Sequence, residues 1–69
     1  MKWFYRECDV EITAVYDTAA KVMFTPTVEI MCKAVAKPHI LTTKDTFKSA
    51  VEAELHGALI ARAWIDENV

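Results

Sequence analysis

Glycine is almost absent from this sequence: Gly57 is the single glycine among 69 residues. Cysteine is also scarce, and only two cysteines exclude the disulfide-dense class of small secreted scaffolds. No stretch approaches the roughly 18 continuous apolar residues that a membrane helix needs. The N-terminus "MKWFYRECDV" lacks the apolar run of a signal peptide. These absences predict a cytoplasmic protein, without membrane contact, in which Cys8 and Cys32 are reduced thiols.

The sequence also lacks an excess of positive charge, and its formal net charge is -2. A small domain that grips a phosphate backbone is normally basic, so this balance makes nucleic acid an unlikely partner. Apolar residues are abundant instead, at 54% of the chain. A single domain of this size, spanning 1–69, buries only about 60% of its unfolded surface. We therefore expect a homo-oligomer, most simply a dimer, in which self-association supplies the missing stability, and a protein partner is the other option.

Two segments alternate between apolar and other residues with the period of a half-buried strand. The even positions are apolar from Val10 to Tyr16 and again from Val22 to Ala34. The pattern predicts strands over about 3–16 and 21–36, joined as antiparallel neighbours by the short loop "DTAAK". Residues 39–42 are a candidate for a short third strand.

The C-terminal part of the chain has helical periodicity. Thr42 or Thr43 is the predicted N-cap, Asp45 lies in the first turn, and the helix spans about 44–67. A helical wheel places the following residues at the centre of one apolar face: Phe47, Ala50, Val51, Ala58, Ala61 and Ile65. The predicted fold is therefore α+β, an antiparallel two- or three-stranded sheet packed against one long C-terminal helix.

Gly57 lies inside this predicted helix, where glycine costs roughly 1 kcal/mol relative to alanine. Ala53, Gly57 and Ala61 recur every four residues and form a stripe of small side chains. Small side chains let a helix approach another element closely, and the contact can offset the cost in helix propensity. Two partners fit the stripe: the chain's own sheet, or the helix of a symmetry-related copy.

The residues that could carry chemistry do not form a catalytic or metal-binding pattern. Cys8, Cys32, His39 and His56 match no zinc spacing, so we expect neither a metal nor a cofactor. Glu54 falls in the middle of the apolar helix face, where a carboxylate needs a partner. No nucleophile–base pair and no glycine-rich phosphate loop accompanies it, so we expect no enzyme activity.

The chain carries an ordered set of short motifs: "YD" after an alternating strand, then "PTVEI", then a helix opening Thr-x-x-x-Phe and ending "ARAWID". This order resembles a set of short bacterial proteins of unknown function, built as a β-meander followed by one C-terminal helix. The match covers roughly 10–66. The segment "KAVAKPHIL" departs from the pattern because it lacks the usual turn chemistry. The resemblance implies a fold and a bacterial source, but no activity and no catalytic residues.

A lone helix covers only one side of a sheet, so the other side of the predicted sheet is left half apolar. We expect Val15, Met23, Met31 and Val35 on that side. Trp3 and Tyr5 join them if the first strand runs unbroken, whereas a bulge near 6–8 would change their side.

The sequence therefore predicts a non-enzymatic interaction module that self-associates through the open sheet face or the helix edge. The predicted interface residues are Trp3, Tyr5, Val15, Met23, Met31, Val35, Ala53, Gly57, Ala61 and Trp64. The alternative is a small nucleic-acid-binding regulator that gathers basic residues on one surface, namely Lys2, Arg6, Lys21 and Lys33. A minor alternative is a ligand binder or enzyme that uses Glu54.

Overall fold

In a computed structural model of the chain, which describes residues 1–17, 23–33 and 36–69, one helix packs on one face of a four-stranded antiparallel sheet. The elements are β1 (Lys2–Tyr5), β2 (Cys8–Asp17), β3 (Met23–Cys32), β4 (His39–Thr42) and α1 (Ala50–Asn68). Each strand pairs with the next along the chain, so the sheet is a meander. The predicted α+β class is confirmed, with four strands instead of two or three. The loop "DTAAK" lies beyond Asp17 outside the described residues, but the antiparallel pairing of its flanking strands is present.

A tight turn at Arg6 and Glu7 divides the predicted first strand into β1 and β2. Tyr5 pairs with Cys8 across the turn, and both central residues have positive φ angles, 47° and 68°. A two-residue hairpin loop of type I′ needs this left-handed backbone at both positions, because its twist matches that of the strands. The chain therefore reverses direction where the sequence predicted one continuous strand.

The turn decides which face of the sheet carries Trp3 and Tyr5. Trp3 pairs with Val10, and Tyr5 pairs with Cys8. Directly opposed residues in neighbouring strands project from the same face. Trp3 and Tyr5 therefore lie on the helix side, where they pack against the core, and not on the open side with Met31.

Cys8 and Cys32 form a disulfide between β2 and β3, so the prediction of two reduced thiols is wrong for this structure. The two residues are direct partners in the strand register, and both are buried. The bond links positions 24 residues apart at the end of the β2–β3 ladder that leads into the Arg6–Glu7 turn. It therefore fixes the register of the two longest strands.

The helix begins later than predicted, at Ala50 instead of about residue 44. Ser49 is the N-cap, and its hydroxyl accepts a hydrogen bond from the Glu52 backbone N–H at 3.2 Å. Before it, Phe47 pairs with Phe24: each backbone N–H donates to the other's carbonyl, at 2.7 and 2.8 Å. The backbone N–H and carbonyl of Phe47 are hydrogen-bonded to Phe24 in the sheet, so Phe47 is not part of the first turn of the helix.

The core lies between α1 and the two central strands. The sheet contributes the alternating residues Cys8, Val10, Ile12, Val28, Ile30 and Cys32. The helix contributes its stripe of small residues, Ala53, Gly57 and Ala61, followed by Ile65. The predicted centre of the apolar helix face is therefore wrong in part, since Val51 is 66% exposed.

Gly57 is required by the closeness of the helix to the sheet. A Cβ added there would lie 2.7 Å from Ile12 Cγ2, and 3.2 Å from Pro26 Cβ. The Ile12 methyl sits on a β-branched side chain in a fully buried position, so it has little freedom to move. The small-residue stripe thus packs on the chain's own sheet.

We expect Gly57→Ala to lower the free energy of unfolding by up to about 2 kcal/mol, because overpacking a core costs about 1–3 kcal/mol and the gain in helix propensity offsets roughly 1 kcal/mol of that cost. The measurement is urea denaturation followed by circular dichroism. Ala63→Gly at an exposed position of the same helix measures the propensity effect alone. A Gly57→Ala variant more stable than the native chain would contradict the close packing.

We expect reduction of Cys8–Cys32 to lower the free energy of unfolding by about 3 kcal/mol, since the bond removes loop-closure entropy from the unfolded chain. Urea denaturation of the oxidised and the reduced chain measures the difference. The Cys8→Ala/Cys32→Ala variant is the control, and its stability should not respond to the reductant. Equal stability of the oxidised and the reduced native chain would show that the disulfide adds nothing to the free energy of unfolding.

Candidate functional site

The side of the sheet that faces away from α1, here called the open sheet face, exposes large apolar side chains. Phe4 on β1 is 58% exposed and Ile40 on β4 is 59% exposed. Met31 and Val15, on the central strands, are also exposed. Alternation along β2 and β3, which buries Val10, Ile12, Val28 and Ile30, turns Val15 and Met31 outward, and the strand register places Phe4 and Ile40 on the same face.

The register brings acidic residues together on the same face. Glu11 is the direct partner of Glu29, with Lys2 beyond Glu11 and Ile40 beyond Glu29. In the next row Asp9 stands between Phe4 and Met31. Like charges directly opposite each other destabilise a sheet. Among the described residues in these two rows there are three carboxylates and one ammonium group, so the face is acidic.

A shallow depression of about 490 Å³ follows these two rows across β1, β2 and β3. Its lining residues are Lys2, Trp3, Phe4, Asp9, Val10, Glu11, Glu29 and Met31. The depression combines apolar and charged side chains and is open to solvent, which suits a docking surface better than an enclosed ligand site.

A second apolar surface runs along the outer side of α1. Val51, Leu55 and Leu59, here called the helix stripe, are 66%, 59% and 66% exposed. They recur every four residues and so share one face of the helix. The close packing at Gly57 turns the small residues inward and leaves these three pointing away from the sheet.

Asp66 ties the end of the helix to the β1–β2 turn. The Tyr5 hydroxyl donates to Asp66 Oδ1 at 2.7 Å, and an Arg6 guanidinium N–H donates to the same oxygen at 3.1 Å. These two hydrogen bonds, the Tyr5 bond first, lower the pKa of Asp66 below its ordinary value of 3.8. Arg62, one turn earlier, adds a weaker ion pair at 3.8 Å.

Aromatic residues close the helix side of the sheet at the same end. Trp3 stacks on Tyr5 with ring centroids 5.0 Å apart, and His39 stacks on Trp64 at 4.3 Å. Trp3, Tyr5 and Trp64 are half-buried. Their most direct role is to extend the core around the end of α1.

The structure divides the ten predicted interface residues. Val15 and Met31 lie exposed on the open sheet face, and Met23 is half-buried on β3. Val35 lies outside the described residues. The remaining six lie on the helix side of the sheet or in the helix core: Trp3, Tyr5, Ala53, Gly57, Ala61 and Trp64. The interface itself remains a prediction.

Sequence reasoning missed Phe4 and Ile40 on the open sheet face and Leu59 on the helix stripe. Phe4 was missed because the turn at Arg6 and Glu7, which decides the face of the β1 residues, has no glycine or asparagine from which it could be predicted. The stripe did have a signal: Val51, Leu55 and Leu59 repeat every four residues, in parallel with Ala53, Gly57 and Ala61. The sequence alone does not say which of the two stripes faces the sheet.

The cysteines and histidines among the candidate chemical residues are engaged in structural contacts. Both cysteines are in the disulfide, and His56 Nε2 lies 3.3 Å from Asp45 Oδ2. Glu54 is half-buried on α1. In the described ranges no three His, Cys, Asp or Glu side chains are grouped as metal ligands would be. The described helix is not apolar enough over a sufficient length to cross a membrane.

Comparisons with protein-family models, with curated proteins and with solved structures found no match to this chain.

We expect Tyr5→Phe to raise the pKa of Asp66 toward 3.8, because it removes the hydrogen bond that lowers this pKa most. A lowered pKa in the folded state gives stability that is present above the unfolded pKa and is lost as the pH falls through the folded pKa. Tyr5→Phe should therefore reduce the loss of stability on acidification. NMR titration of the Asp66 carboxyl carbon measures the pKa directly.

Tyr16→Phe is the matched control, since the Tyr16 side chain stacks on Phe24 and is not among the groups that set the Asp66 pKa. An Asp66 pKa that is the same in the native chain and in Tyr5→Phe would show that the Tyr5 hydroxyl does not hold the carboxylate in solution.

Proposed function

We propose that this chain is a small, non-enzymatic interaction module that self-associates as a homo-oligomer. The observation that carries the proposal is the exposure of large apolar side chains on two separate surfaces, the open sheet face and the helix stripe. Clustered exposed apolar residues of this kind mark interaction sites on small domains. Isolated apolar residues on a surface would need no such explanation, but Val51, Leu55 and Leu59 at one helical spacing form a continuous surface.

Size supports the proposal. In a chain of 69 residues a large share of the surface stays exposed after folding. The binding of a second copy to the folded state alone adds stability by mass action. Dimerisation is the smallest association that would cover apolar surface here. In the part of the chain that the structure describes, α1 covers the core side of the central strands, and the open sheet face and the helix stripe are exposed apolar surfaces that a second copy can contact.

No contact in the described residues favours the nucleic-acid alternative. Lys2 stands opposite Glu11, Arg6 binds Asp66, and Lys33 lies 3.5 Å from Glu7. Lys21 lies outside the described residues. The basic side chains are therefore interleaved with carboxylates, which is a poor surface for a phosphate backbone.

Two further expectations belong to the proposal. From the sequence resemblance we place the chain among short bacterial proteins of this shape, and from its composition we place it in the cytoplasm. Thiols stay reduced in the cytosol of most organisms, so the Cys8–Cys32 disulfide of the structure argues against the cytoplasmic location. Rapid alkylation in intact cells would trap Cys8 and Cys32 as thiols if the cytoplasmic location holds. Recovery of the disulfide would indicate an oxidising compartment instead.

We expect Leu55→Glu to weaken self-association by at least about tenfold, because burial of a leucine is worth about 1.5–3 kcal/mol and each 1.4 kcal/mol is tenfold. Sedimentation equilibrium over a wide dilution range measures the association constant. Asn68→Glu adds the same charge at an exposed position of α1 that is turned away from the helix stripe, and it should change the association constant little. A native chain that stays monomeric at every concentration would overturn the proposed function.

A further inference from the structure

The open sheet face is poorly suited to pair with its own copy. In a two-fold interface the same patch meets itself. Such pairing would bring Asp9, Glu11 and Glu29 of one copy against the same three carboxylates of the other. Like-charge juxtaposition across an interface costs several kcal/mol. Charge therefore argues for a different surface as the partner of this face.

The helix stripe has the right size for that partner. From Val51 to Leu59 the helix rises about 12 Å. The outer strands β1 and β4, which carry Phe4 and Ile40, are three strand spacings apart, or about 14 Å. A helix laid across the face could thus contact apolar side chains from its first strand to its last.

The charges around the stripe also complement the face. Lys48 precedes the stripe and Arg62 follows it, and both are exposed. Asp66 accepts from Tyr5 and Arg6 at Oδ1, and Arg62 lies 3.8 Å from its Oδ2, so two guanidinium groups share this one carboxylate. Of the other carboxylates in the described helix, Glu52 lies beside the stripe, Glu54 is half-buried, and Glu67 lies two turns beyond Leu59. The basic side chains at both ends can reach the acidic rows of the open sheet face.

We propose that self-association is head-to-tail: the helix stripe of one copy docks on the open sheet face of the next. This inference rests on the proposed function and specifies its interface. Each sheet then has a helix on both faces, its own on one side and a neighbour's on the other. The helix stripe and the open sheet face lie on opposite sides of the molecule. Each added copy therefore leaves one free helix stripe or one free sheet face at the end of the assembly, to which a further copy can bind. Contacts of this heterologous type close into a ring or continue as a filament.

Two variants, each with one damaged surface, test the arrangement. The stripe variant is Leu55→Glu/Leu59→Glu, and the sheet variant is Phe4→Glu/Ile40→Glu. All four positions are exposed, and circular dichroism confirms that each variant is folded. Head-to-tail docking predicts that each variant alone is monomeric. It also predicts that an equimolar mixture forms a one-to-one complex, because an intact stripe and an intact sheet face are then present on different molecules.

The other outcomes separate the two proposals. If the native chain associates and the sheet variant alone still dimerises, the helix stripe pairs with itself and the head-to-tail inference fails. Dimerisation of the stripe variant alone would show that the sheet face pairs with itself, and the head-to-tail inference would again fail. A mixture that stays monomeric also overturns the inference. A native chain that never associates overturns the proposed function as well.

The salt dependence gives a second measurement on the native chain. Attraction between the basic ends of the stripe and the acidic rows is screened by salt, so sodium chloride should weaken association. Repulsion between two acidic sheet faces would be screened instead, and association would strengthen. Strengthening with salt would therefore contradict the head-to-tail arrangement.

Discussion

The close approach of α1 to β2 and β3 at Gly57 is the constraint on which the rest of this structure depends. No Cβ fits at this position, since it would lie 2.7 Å from a methyl group of Ile12. The helix can sit this near the sheet only by turning its smallest residues inward. Val51, Leu55 and Leu59 are then turned outward by helical geometry, so the packing that makes the core also makes the exposed stripe.

Three further contacts hold the helix and the sheet in this arrangement. The Cys8–Cys32 disulfide fixes the register of β2 and β3 beside the turn. Asp66 connects the end of α1 to Tyr5 and Arg6 at that same turn. At the other end of the helix, the Phe24–Phe47 bridge holds the segment before Ser49 to β3. The helix is thus attached to the sheet at both ends. The small residues between these ends, Ala53, Gly57 and Ala61, therefore do not need to supply all of the free energy that holds the helix on the sheet.

The sequence predicts the fold class well, because the alternation of apolar and polar residues in strands and the spacing of apolar residues in helices can be read directly from the order of the amino acids. The two long strands and the C-terminal helix follow from those periods, whereas residues 39–42, which form β4, were only a candidate strand. The positions that failed depend on tertiary context. Arg6 and Glu7 adopt positive φ without glycine or asparagine, and Phe47 joins the sheet instead of the helix. The rotation of α1 about its own axis could not be predicted from the sequence. Two stripes have the same four-residue spacing, and only the close packing of the helix on the sheet decides which stripe is buried.

An apolar stripe and an apolar sheet face on opposite sides of one small domain limit how copies can combine. In this two-layer domain the inner sides of the helix and the sheet are packed together, and both outer sides carry exposed apolar residues. Self-pairing would leave one of the two surfaces exposed in every pair, and on the sheet side it would also oppose carboxylates such as Glu11 and Glu29. Pairing of unlike surfaces covers both kinds of surface with a single type of contact and matches basic groups with acidic ones. In the proposed head-to-tail arrangement the excess of apolar residues in so short a chain would serve assembly, because each exposed apolar surface of one copy would be covered by the next copy.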